Sequence, residues 1–547
     1  MDVSNMSFFN VARLPDRVRI ITEKERTEVF VKGNTASAAD TSVEFVQVAA
    51  GLDVFVTASQ PLMWVHLRWS VPVPSGLRYL GDLWERGYGD MEWRGLVAQR
   101  GMPFYFAATD GALTHGYGVQ TGGAAFCWWH VDAAGVSLYI DTRCGGVGVL
   151  PGDRKLHAAR MHVRRGIPGE TPFEAVCALC RELCPAPRLP REPVYGSNNW
   201  YSCFGKTDHA DVLSHTSLLI ELCQEAAGKP FMVMDMGWQA GKGIHDRGNK
   251  RFPDMPKLAD DIRVAGARPG LWVRALECPD DTNPRLLLSN KRLEPAPLWP
   301  VPCTLDPSLP ENLERIRQIF ATIRGWGFDL IKSDFTTYDI LGYWGYQMGY
   351  SMASDGWQFA DRSRTSAEII RAFYDVIREA SGDALVLGCN TIGHLTAGRF
   401  ELQRTGDDVS GREWERTRQM GINTLAFRMP QHNTFFHVDA DIAVVTKRVS
   451  WQMNARWLDI LARSGTTLFV SLDPGSTGPE QRAALRRAFA TASRPGPRGV
   501  PLDWMETTCP QRWLLHGKEV TYDWYEAAGV ECLPATPLAR RMRGHQS

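Results

Sequence analysis

Charged residues that directly follow short apolar segments are the strongest chemical signal in this sequence. The segment FDLIKSDF places Lys332 and Asp334 two positions apart, so they share one face if the segment is a strand. A charge at the end of a buried segment is costly unless it is paired or used. Asp334 could cap a helix, but the following residues, FTTYDILGYWGYQMG, do not begin a helix promptly. The pair therefore indicates a nucleophile or base beside a cation.

A second acidic group follows another apolar segment. Asp408 comes after FELQRTG, with Arg404 four positions earlier and Asp407 adjacent. Adjacent acids in a loop are commonly caps or solvated surface residues, but an arginine within reach could hold one carboxylate or a substrate. Two carboxylates on separate strands that face one cavity are the minimum for glycoside hydrolysis, in which one attacks the anomeric carbon and the other transfers the leaving-group proton.

Other polar and aromatic residues also end apolar segments and could bind a sugar. Asp235 ends PFMVMD, and a short, fixed carboxylate at the floor of a cavity is a good acceptor for sugar hydroxyls. Trp200 and Trp272 close two further segments, although each could equally belong to the hydrophobic core. The residues selected by their place at segment ends are Trp200, Asp235, Trp272, Lys332, Asp334, Cys389, Asn390, Arg404 and Asp408.

The elements that would position these residues alternate from about residue 193 onward. Eight strand-like segments are separated by amphipathic ones, which favours parallel strands in a (β/α)8 TIM barrel with functional groups at the carboxyl ends of the strands. A doubly wound sheet is the alternative, but it lacks a G-x-G-x-x-G turn after its first strand. The strand segments are PVYGSNNW, PFMVMDMGW, RPGLWVRAL, FDLIKSDF, ALVLGCN, FELQRTGDD, NTLAFRMP and TTLFVSL, and the helices are predicted at 208–226, 256–265, 310–325, 364–381 and 445–463.

The regions on either side of the barrel have different patterns. Residues 1–190 contain alternating or β-branched runs such as TEVFVKG and MWVHLRWSVPV, which predict a large antiparallel β domain. This region ends in a helix and a Pro-rich linker, and the spacing of Cys177, Cys180 and Cys184 fits the buried stripe of that helix better than a metal site. The barrel is predicted over 191–475, and 476–547 hold its last helix, PEQRAALRRAFATA, and a small β cap.

Composition excludes several classes of protein. The 547 residues carry 61 Lys+Arg and 61 Asp+Glu, so no net charge attracts nucleic acid or an anionic membrane. No apolar run is long enough for a transmembrane helix, and the opening residues do not resemble a signal peptide. Twelve scattered cysteines fit reduced thiols, so we expect a cytoplasmic protein. The 19 Trp suit sugar faces and large β cores equally well.

Taken together and in order, these segments form a recognisable pattern. Residues 193–475 resemble the catalytic domain of clan D glycoside hydrolases, the α-galactosidase or melibiase group, especially family 36. The resemblance covers about half of the chain, and it implies an N-terminal β-supersandwich, a TIM barrel and a C-terminal β cap. The motifs that carry it are GSNNWYSCF, MVMDMGW, RFPDMPKLADDIRVAGARPGLWV, LDPSLPENLERI, LIKSDF, LGCN and RTGDDV.

The resemblance implies a role for each selected residue. Asp334 would be the nucleophile that forms a β-glycosyl–enzyme intermediate. Asp408 would be the general acid and then the general base, with Asp407 as the alternative if the register is shifted by one. Two displacements at one anomeric centre would give net retention, and no cofactor or metal would be needed. The sugar-binding residues would be Trp200, Asp235, Trp272, Lys332, Cys389, Asn390 and Arg404.

One position departs from the family pattern. The family carries two consecutive acids on its second strand, which bind the 4- and 6-hydroxyls of galactose, whereas this chain has Asp235 and Met236. Loss of a charged acceptor removes about 1.5–3 kcal/mol of hydroxyl recognition. We expect α-galactosidase-like chemistry on an α-linked glycoside, and a modified galactoside or another α-linked sugar is an open alternative, as is transglycosylation.

Three other hypotheses come from different classes of function. Lys332 at a strand end could form a Schiff base, as in class I aldolases. His437, Asp439 and Asp441 share a strand face and could bind a metal ion. The barrel could also be a non-catalytic sugar-binding protein. The partner that we expect is an α-linked oligosaccharide or glycoside, with no nucleic acid and no membrane, and homo-oligomerisation is left open.

Overall fold

Thirteen strands in two antiparallel sheets form the N-terminal part of the computed structural model, which describes residues 8–38, 40–294, 303–527 and 529. They are β1 (Arg17–Thr22), β2 (Arg26–Val29), β3 (Thr35–Ala38), β4 (Thr41–Val48), β5 (Gly51–Ala58), β6 (Leu62–Ser70), β7 (Arg78–Gly81), β8 (Met102–Pro103), β9 (Tyr105–Thr109), β10 (Thr114–Val119), β11 (Phe126–Asp132), β12 (Gly135–Asp141) and β13 (Leu156–Arg164). The sheet orders are β2-β1-β6-β12-β11-β8 and β3-β4-β5-β13-β10-β9-β7. A β-rich N-terminal region is thus present, as the alternating segments predict.

Alternation along the strands explains how these two sheets share a core. In β6, Val65, Leu67 and Trp69 are buried in a cluster with residues of the other sheet, including Val54 of β5. Successive strand side chains point to opposite faces, so one face of β6 is apolar. Trp69 also stacks on Trp129 of β11, with 6.4 Å between the ring centroids. Part of the tryptophan excess therefore belongs to this core.

A helix, α1 (Pro172–Leu183), leads from the β-rich region to the rest of the chain. It begins with a capping box between Thr171 and Glu174, which satisfies two backbone N–H groups at its start. Cys177 and Cys180 lie on its buried face with Leu179, and all three belong to the hydrophobic core. The predicted helix with a buried cysteine stripe is observed.

Nine parallel strands follow and form a single sheet. They are β14 (Tyr195–Asn198), β15 (Phe231–Met234), β18 (Arg268–Val273), β19 (Leu330–Ser333), β20 (Leu385–Gly388), β21 (Leu402–Arg404), β22 (His437–Asp439), β23 (Ala443–Val445) and β24 (Leu468–Leu472), while β16 (Gln239–Gly241) and β17 (Ile244–Gly248) form a hairpin after β15. The order is β22-β21-β20-β19-β18-β15-β14-β24-β23. The outer strands β22 and β23 follow each other in the chain, so the sheet is curled, as in a TIM-like domain. Closure into eight strands stays a prediction.

Helices connect and cover the parallel strands. They are α2 (Trp200–Cys203), α3 (His209–Leu222), α4 (Met255–Val264), α5 (Pro310–Gly325), α6 (Thr336–Leu341), α7 (Ser366–Ala380), α8 (Gly393–Thr396), α9 (Trp414–Arg416), α10 (Thr424–Arg428), α11 (Trp451–Arg463) and α12 (Pro479–Ala492). Thr417–Asn423 is a π-helical turn, and Pro284–Leu286, Asn290–Leu293, Gly345–Gln347, Met429–Gln431 and Pro474–Ser476 are 3-10 turns. The exposed face of α7 is polar and its opposite face is buried, which fixes its packing against the sheet.

The seventh predicted strand was wrong. NTLAFRMP is helical in the structure, as the end of the π-helical turn, α10 and the 3-10 turn that begins at Met429. Its apolar residues are buried, and a short buried apolar run does not distinguish a strand from a helix. The place in the sheet is taken by β22 and β23 instead. Consequently the predicted helix 445–463 begins only at Trp451.

After α12 the described residues contain a three-stranded antiparallel sheet, of β25 (Val500–Pro501), β26 (Arg512–Leu515) and β27 (Lys518–Thr521). Trp513 and Trp524 are fully buried there and both donate hydrogen bonds to the carbonyl oxygen of Pro510. The domain boundaries at 190 and 475 stay predictions. Among the helices that the structure describes, none has the length and apolar character needed to cross a bilayer.

Candidate active site

A cavity opens at the carboxyl ends of the parallel strands. Seven of the nine residues selected from the sequence line it: Trp200, Asp235, Trp272, Lys332, Asp334, Arg404 and Asp408. The side chains come together because parallel strands end at the same edge of the sheet. The other lining residues are Arg86, Tyr201, Phe204, Met236, Phe335, Trp344, Asp407, Val409, Ser410, Gly411, Arg412, Arg416, Asp441 and Ile442.

Two hydrogen bonds hold the Asp334 side chain at the end of β19. Its Oδ2 accepts a hydrogen bond of 3.0 Å from the Trp272 indole N–H, and its Oδ1 accepts one of 2.6 Å from the Phe335 backbone N–H. Phe335 has a φ of 62°, an uncommon conformation for a residue with a side chain. No cation among the described residues lies within ion-pair distance of Asp334, and Lys332, on the same strand, is paired with Asp235 instead. Two hydrogen bonds thus orient the Asp334 side chain and no ion pair holds it, which suits a nucleophile.

Asp235 and Lys332 form a buried ion pair in the cavity. Lys332 Nζ lies 2.8 Å from Asp235 Oδ2, which also accepts a hydrogen bond of 2.9 Å from the Asn198 amide. Burial lowers the pKa of Lys332, but the Asp235 carboxylate outweighs it and raises the pKa above the ordinary value. A Schiff base requires a neutral amine, so this pairing does not suit the aldolase hypothesis.

Asp407 and Asp408 are adjacent in sequence but lie in different environments. The Asp407 side chain is 3% exposed and is paired with Arg416 at 2.7 Å and with Arg86 at 3.1 Å. The Asp408 side chain is 44% exposed, 3.0 Å from Arg404 and 3.6 Å from Arg86. Only Asp408 has an accessible carboxylate, so the geometry favours it over Asp407 for proton transfer.

Asp441 connects to Asp408 through Arg404. Its carboxylate lies 2.9 Å from Arg404 Nη1 and accepts hydrogen bonds from the Tyr201 hydroxyl, at 2.7 Å, and from the Val409 backbone N–H, at 2.8 Å. Burial raises the pKa of Asp441 to about 7, and the Arg404 cation opposes the effect. For Asp408, partial desolvation raises the pKa, but Arg404, Arg86 and other cations outweigh this effect, so its pKa is lowered. Because Arg404 bridges both groups, they titrate as a pair.

This pairing leads to a prediction for the pH dependence. Asp441→Asn removes a negative charge that favours the protonated form of Asp408, so the pKa of Asp408 should fall. If Asp408 acts as a general acid in the enzyme–substrate complex, the alkaline limb of the kcat profile should move to lower pH, by roughly one unit for two carboxylates bridged by one guanidinium. The measurement is kcat at saturating concentrations of an α-glycoside with a poor leaving group between pH 4 and 9.

A matched variant should move the limb in the opposite direction. Tyr201→Phe removes a hydroxyl that donates to Asp441 and stabilises its charged form. The pair should then hold its proton to higher pH. Equal profiles for wild type and both variants would mean that Asp441 does not act on the proton-transfer group.

Arg86 reaches the cavity from the N-terminal β-rich region and was missed by sequence reasoning. It lies in the segment between β7 and β8, where nothing in DLWERGYGD signals a role at a barrel mouth. Gly87 next to it exchanges two backbone hydrogen bonds with the loop after β21, at 2.8 and 2.9 Å. A Cβ on Gly87 would lie 2.5 Å from a Thr424 side-chain carbon, so only glycine permits this approach.

Cys389 and Asn390 are not in the wall of the cavity. Cys389 is buried behind Arg404, with 3.9 Å between Sγ and Nη1. Asn390 adopts a φ of 55° and its side-chain amide donates to Glu85, while its Oδ1 accepts from the Tyr338 backbone N–H. Of the two, Cys389 contacts a selected residue, Arg404, without lining the cavity, and Asn390 is held by Glu85 and by the Tyr338 backbone.

The residues considered for metal binding are not arranged as a ligand set. His437 Nδ1 is 3.0 Å from the Asn433 side-chain oxygen, and Asp439 Oδ1 accepts the backbone N–H of Asp441. Asp441 itself is surrounded by donors. Across residues 8–38, 40–294, 303–527 and 529, no three His, Cys, Asp or Glu side chains are grouped so that they could hold a metal ion. The absence of a cofactor stays a prediction.

This chain resembles known proteins at the level of three-dimensional structure. No protein-family model and no curated protein sequence matches the chain. The solved structure of an α-galactosidase from Thermus thermophilus superposes with a TM-score of 0.60 at 18% identity, over 92% of this chain and 99% of that one. The fold resembles that of family 36 α-galactosidases.

Two further α-galactosidases have the same fold as this chain. The GH36 α-galactosidase AgaB of Geobacillus stearothermophilus has a TM-score of 0.57 at 13% identity, covering 88% of this chain and 75% of that one. An α-galactosidase from Lactobacillus brevis has a TM-score of 0.54 at 13% identity, covering 88% and 69%. The α-galactosidase fold therefore includes both the N-terminal β-rich region and the TIM-like domain of this chain.

Proposed function

We propose that this protein is a retaining α-glycoside hydrolase with α-galactosidase-like chemistry. The observation that carries the proposal is the presence, in one cavity at the carboxyl ends of the parallel strands, of an oriented unpaired carboxylate, Asp334, and an accessible one, Asp408. The fold shared with α-galactosidases supports the same conclusion. Hydrolysis then needs only these two carboxyl groups and water.

In the first step Asp334 attacks the anomeric carbon. A bond forms between its carboxylate oxygen and that carbon as the bond to the leaving oxygen breaks, and Asp408 transfers its proton to the leaving oxygen. The hydrogen bonds from Trp272 and Phe335 fix the direction of the Asp334 oxygens. The product of this step is a β-linked glycosyl–aspartate and a free alcohol.

In the second step Asp408, now a carboxylate, accepts a proton from water as the water oxygen attacks the same carbon and displaces Asp334. The requirement on Asp408 is that it be protonated before the first step. Its cations lower its pKa in the open cavity. A sugar that covers the half-exposed carboxylate excludes water and raises this pKa, so substrate binding would prepare the acid.

We assign recognition of the sugar to the Asp235–Lys332 ion pair and to the two tryptophans that line the cavity. Asp235 and Lys332 offer an acceptor and a donor to ring hydroxyls, and Trp200 and Trp272 offer apolar faces. The similar Thermus enzyme has been solved with p-nitrophenyl α-D-galactopyranoside and with stachyose, and the Geobacillus enzyme AgaA with raffinose. An α-linked galactoside is therefore the first substrate class to test.

The stereochemistry of the reaction tests the proposal. Purified protein is incubated with 4-nitrophenyl α-D-galactopyranoside, and the first anomer released is followed by proton NMR before mutarotation. Two displacements predict the α-anomer. Release of the β-anomer would contradict the covalent mechanism, and no turnover of any α-glycoside would contradict the hydrolase assignment itself.

A further inference from the structure

One of the cations that line the cavity has no ion-pair partner among the described residues. The lining contains five cations, Arg86, Lys332, Arg404, Arg412 and Arg416. Four of them have an acidic partner at ion-pair distance, whereas Arg412 forms no ion pair with any residue that the structure describes. The pairs are Arg86 with Glu85, Asp407 and Asp408, Lys332 with Asp235, Arg404 with Asp408 and Asp441, and Arg416 with Asp407.

The Arg412 guanidinium is held in position, but its Nε has no hydrogen-bond partner among the described residues. Its guanidinium lies 4.7 Å from the centroid of the Phe204 ring, a cation–π contact that fixes its position. Its Nε is buried and has no hydrogen-bond partner among the described residues. An unpartnered guanidinium nitrogen is costly to bury, and the planar fork of donors is suited to two oxygens of a carboxylate or sulfate.

No side chain among the described residues accepts a hydrogen bond from the Arg412 guanidinium, and the nearby Ser410 hydroxyl accepts the Arg412 backbone N–H instead. Phe204 leads into Gly205, which packs so closely on Met236 that a Cβ on Gly205 would lie 2.9 Å from the Met236 carbonyl oxygen. Phe204, Met236 and Arg412 therefore make up one wall of the cavity, here called the Arg412 wall. It presents an apolar surface with one fixed positive group. A neutral sugar against it would cover the guanidinium and leave its donors unpaired.

The cavity is lined by as many acidic side chains as cations. Its five cations face Asp235, Asp334, Asp407, Asp408 and Asp441. An anion bound beside Arg412 would therefore pair with the one lining cation that has no ion pair among the described residues.

We infer that the substrate is an α-galactoside whose galactose unit carries an anionic group, a carboxylate or a sulfate, bound by Arg412. The inference rests on the proposed glycosidase function and specifies its substrate class. Placing the charge on the exocyclic carbon leaves every ring hydroxyl free for Asp235 and Lys332, so galacturonides and 6-sulfated galactosides are the simplest members of the class.

Three chromogenic substrates distinguish the outcomes. The wild-type protein is assayed with the 4-nitrophenyl α-glycosides of galactose, galacturonic acid and galactose 6-sulfate. At least one anionic substrate should have a kcat/KM roughly 10- to 100-fold above that of the neutral one, the range expected for one charge-assisted bidentate contact. The two anionic substrates separate carboxylate from sulfate recognition. A neutral galactoside cleaved as well as both anionic ones would overturn the inference and leave the proposed function intact, whereas turnover of none would overturn both.

Variants of Arg412 test whether this residue causes the preference for an anionic substrate. Arg412→Gln should remove most of the preference, and Arg412→Lys, which keeps the charge but not the planar fork, should retain part of it. Arg448→Gln is the matched control, because Arg448 is an exposed arginine that does not line the cavity. A preference that persists in Arg412→Gln would show that another group binds the anion and would overturn the assignment.

Inhibition of the wild-type protein gives the same comparison without a variant. Free galacturonate or free galactose 6-sulfate should inhibit hydrolysis of the neutral substrate at lower concentration than free galactose, and this difference should shrink at high salt because an ion pair is screened. Equal inhibition by all three sugars would contradict the inference even if the Arg412 variants do not fold.

Discussion

Replacement of Asp334 by Ala should lower kcat by roughly ten-thousand-fold or more, because no covalent intermediate can form without the nucleophile. The other carboxylates cannot replace it. Asp235 is paired with Lys332, and Asp407 is buried against Arg416 and Arg86. The loss should be nearly the same for substrates with good and poor leaving groups, because both depend on the same attack. Steady-state kinetics with 4-nitrophenyl and alkyl α-galactosides measures it, and an anionic galactoside serves equally well.

Rescue of the Asp334→Ala variant by azide should form one specific product. In Asp334→Ala, azide can enter the space of the lost carboxylate and attack the anomeric carbon directly, so the product should be a β-glycosyl azide of inverted configuration. Asp383→Ala is the matched control, since Asp383 is 85% exposed at the amino end of β20 and should leave kcat unchanged. Retention of more than about one hundredth of the wild-type rate, judged against that ten-thousand-fold loss, would exclude Asp334 as the nucleophile.

Replacement of Asp408 by Ala should give a loss that depends on the leaving group. General acid catalysis contributes about 100- to 10,000-fold, and it is needed only when the leaving oxygen must be protonated. Alkyl and oligosaccharide substrates should lose most of their activity, whereas a glycosyl fluoride should still form the intermediate. Azide should then accelerate turnover by attacking that intermediate and should give an α-glycosyl azide. The opposite anomers from the two variants distinguish the two roles.

The Asp407→Ala variant tests whether the general acid is Asp408 or its neighbour Asp407. Removing Asp407 leaves the buried Arg416 without its ion-pair partner, which costs about 3–5 kcal/mol for a buried pair, whereas Arg86 keeps its ion pair with the buried Glu85. The expected result is a lower thermal unfolding temperature and a moderate loss of activity that does not depend on the leaving group. A loss that depends on the leaving group in Asp407→Ala but not in Asp408→Ala would transfer the acid role to Asp407.

The parts of this site that lie at strand ends could be predicted from sequence. Lys332 and Asp334 are two residues apart, and the period of a strand is enough to place both on one face. Asp235 and Arg404 follow from the same rule, because parallel strands bring their carboxyl ends to one edge. Local patterning also identified α12 from residue 479 to residue 492, where a Pro at its start and a repeating apolar face define the helix.

The parts that depend on long-range packing could not be predicted. Arg86 is more than three hundred residues away in sequence from Asp407, and only the approach of Gly87 to the barrel loop brings them together. After β20, the Asn390 amide likewise donates a hydrogen bond to Glu85, which lies 305 residues earlier in the sequence. The helix at NTLAFRMP is buried on nearly all sides, so its apolar run has no period to read.

The close contact at Gly87 limits which β-regions could be recombined with the TIM-like domain of this protein. Recombination that transferred the TIM-like domain to a different β-region would leave Asp407 and Asp408 each short of one cation, and a side chain at position 87 would keep the two parts from docking. Asp408, to which we assign proton transfer, is therefore paired with a residue encoded in the other half of the chain. The two regions differ in architecture, but the proposed catalytic cavity requires both.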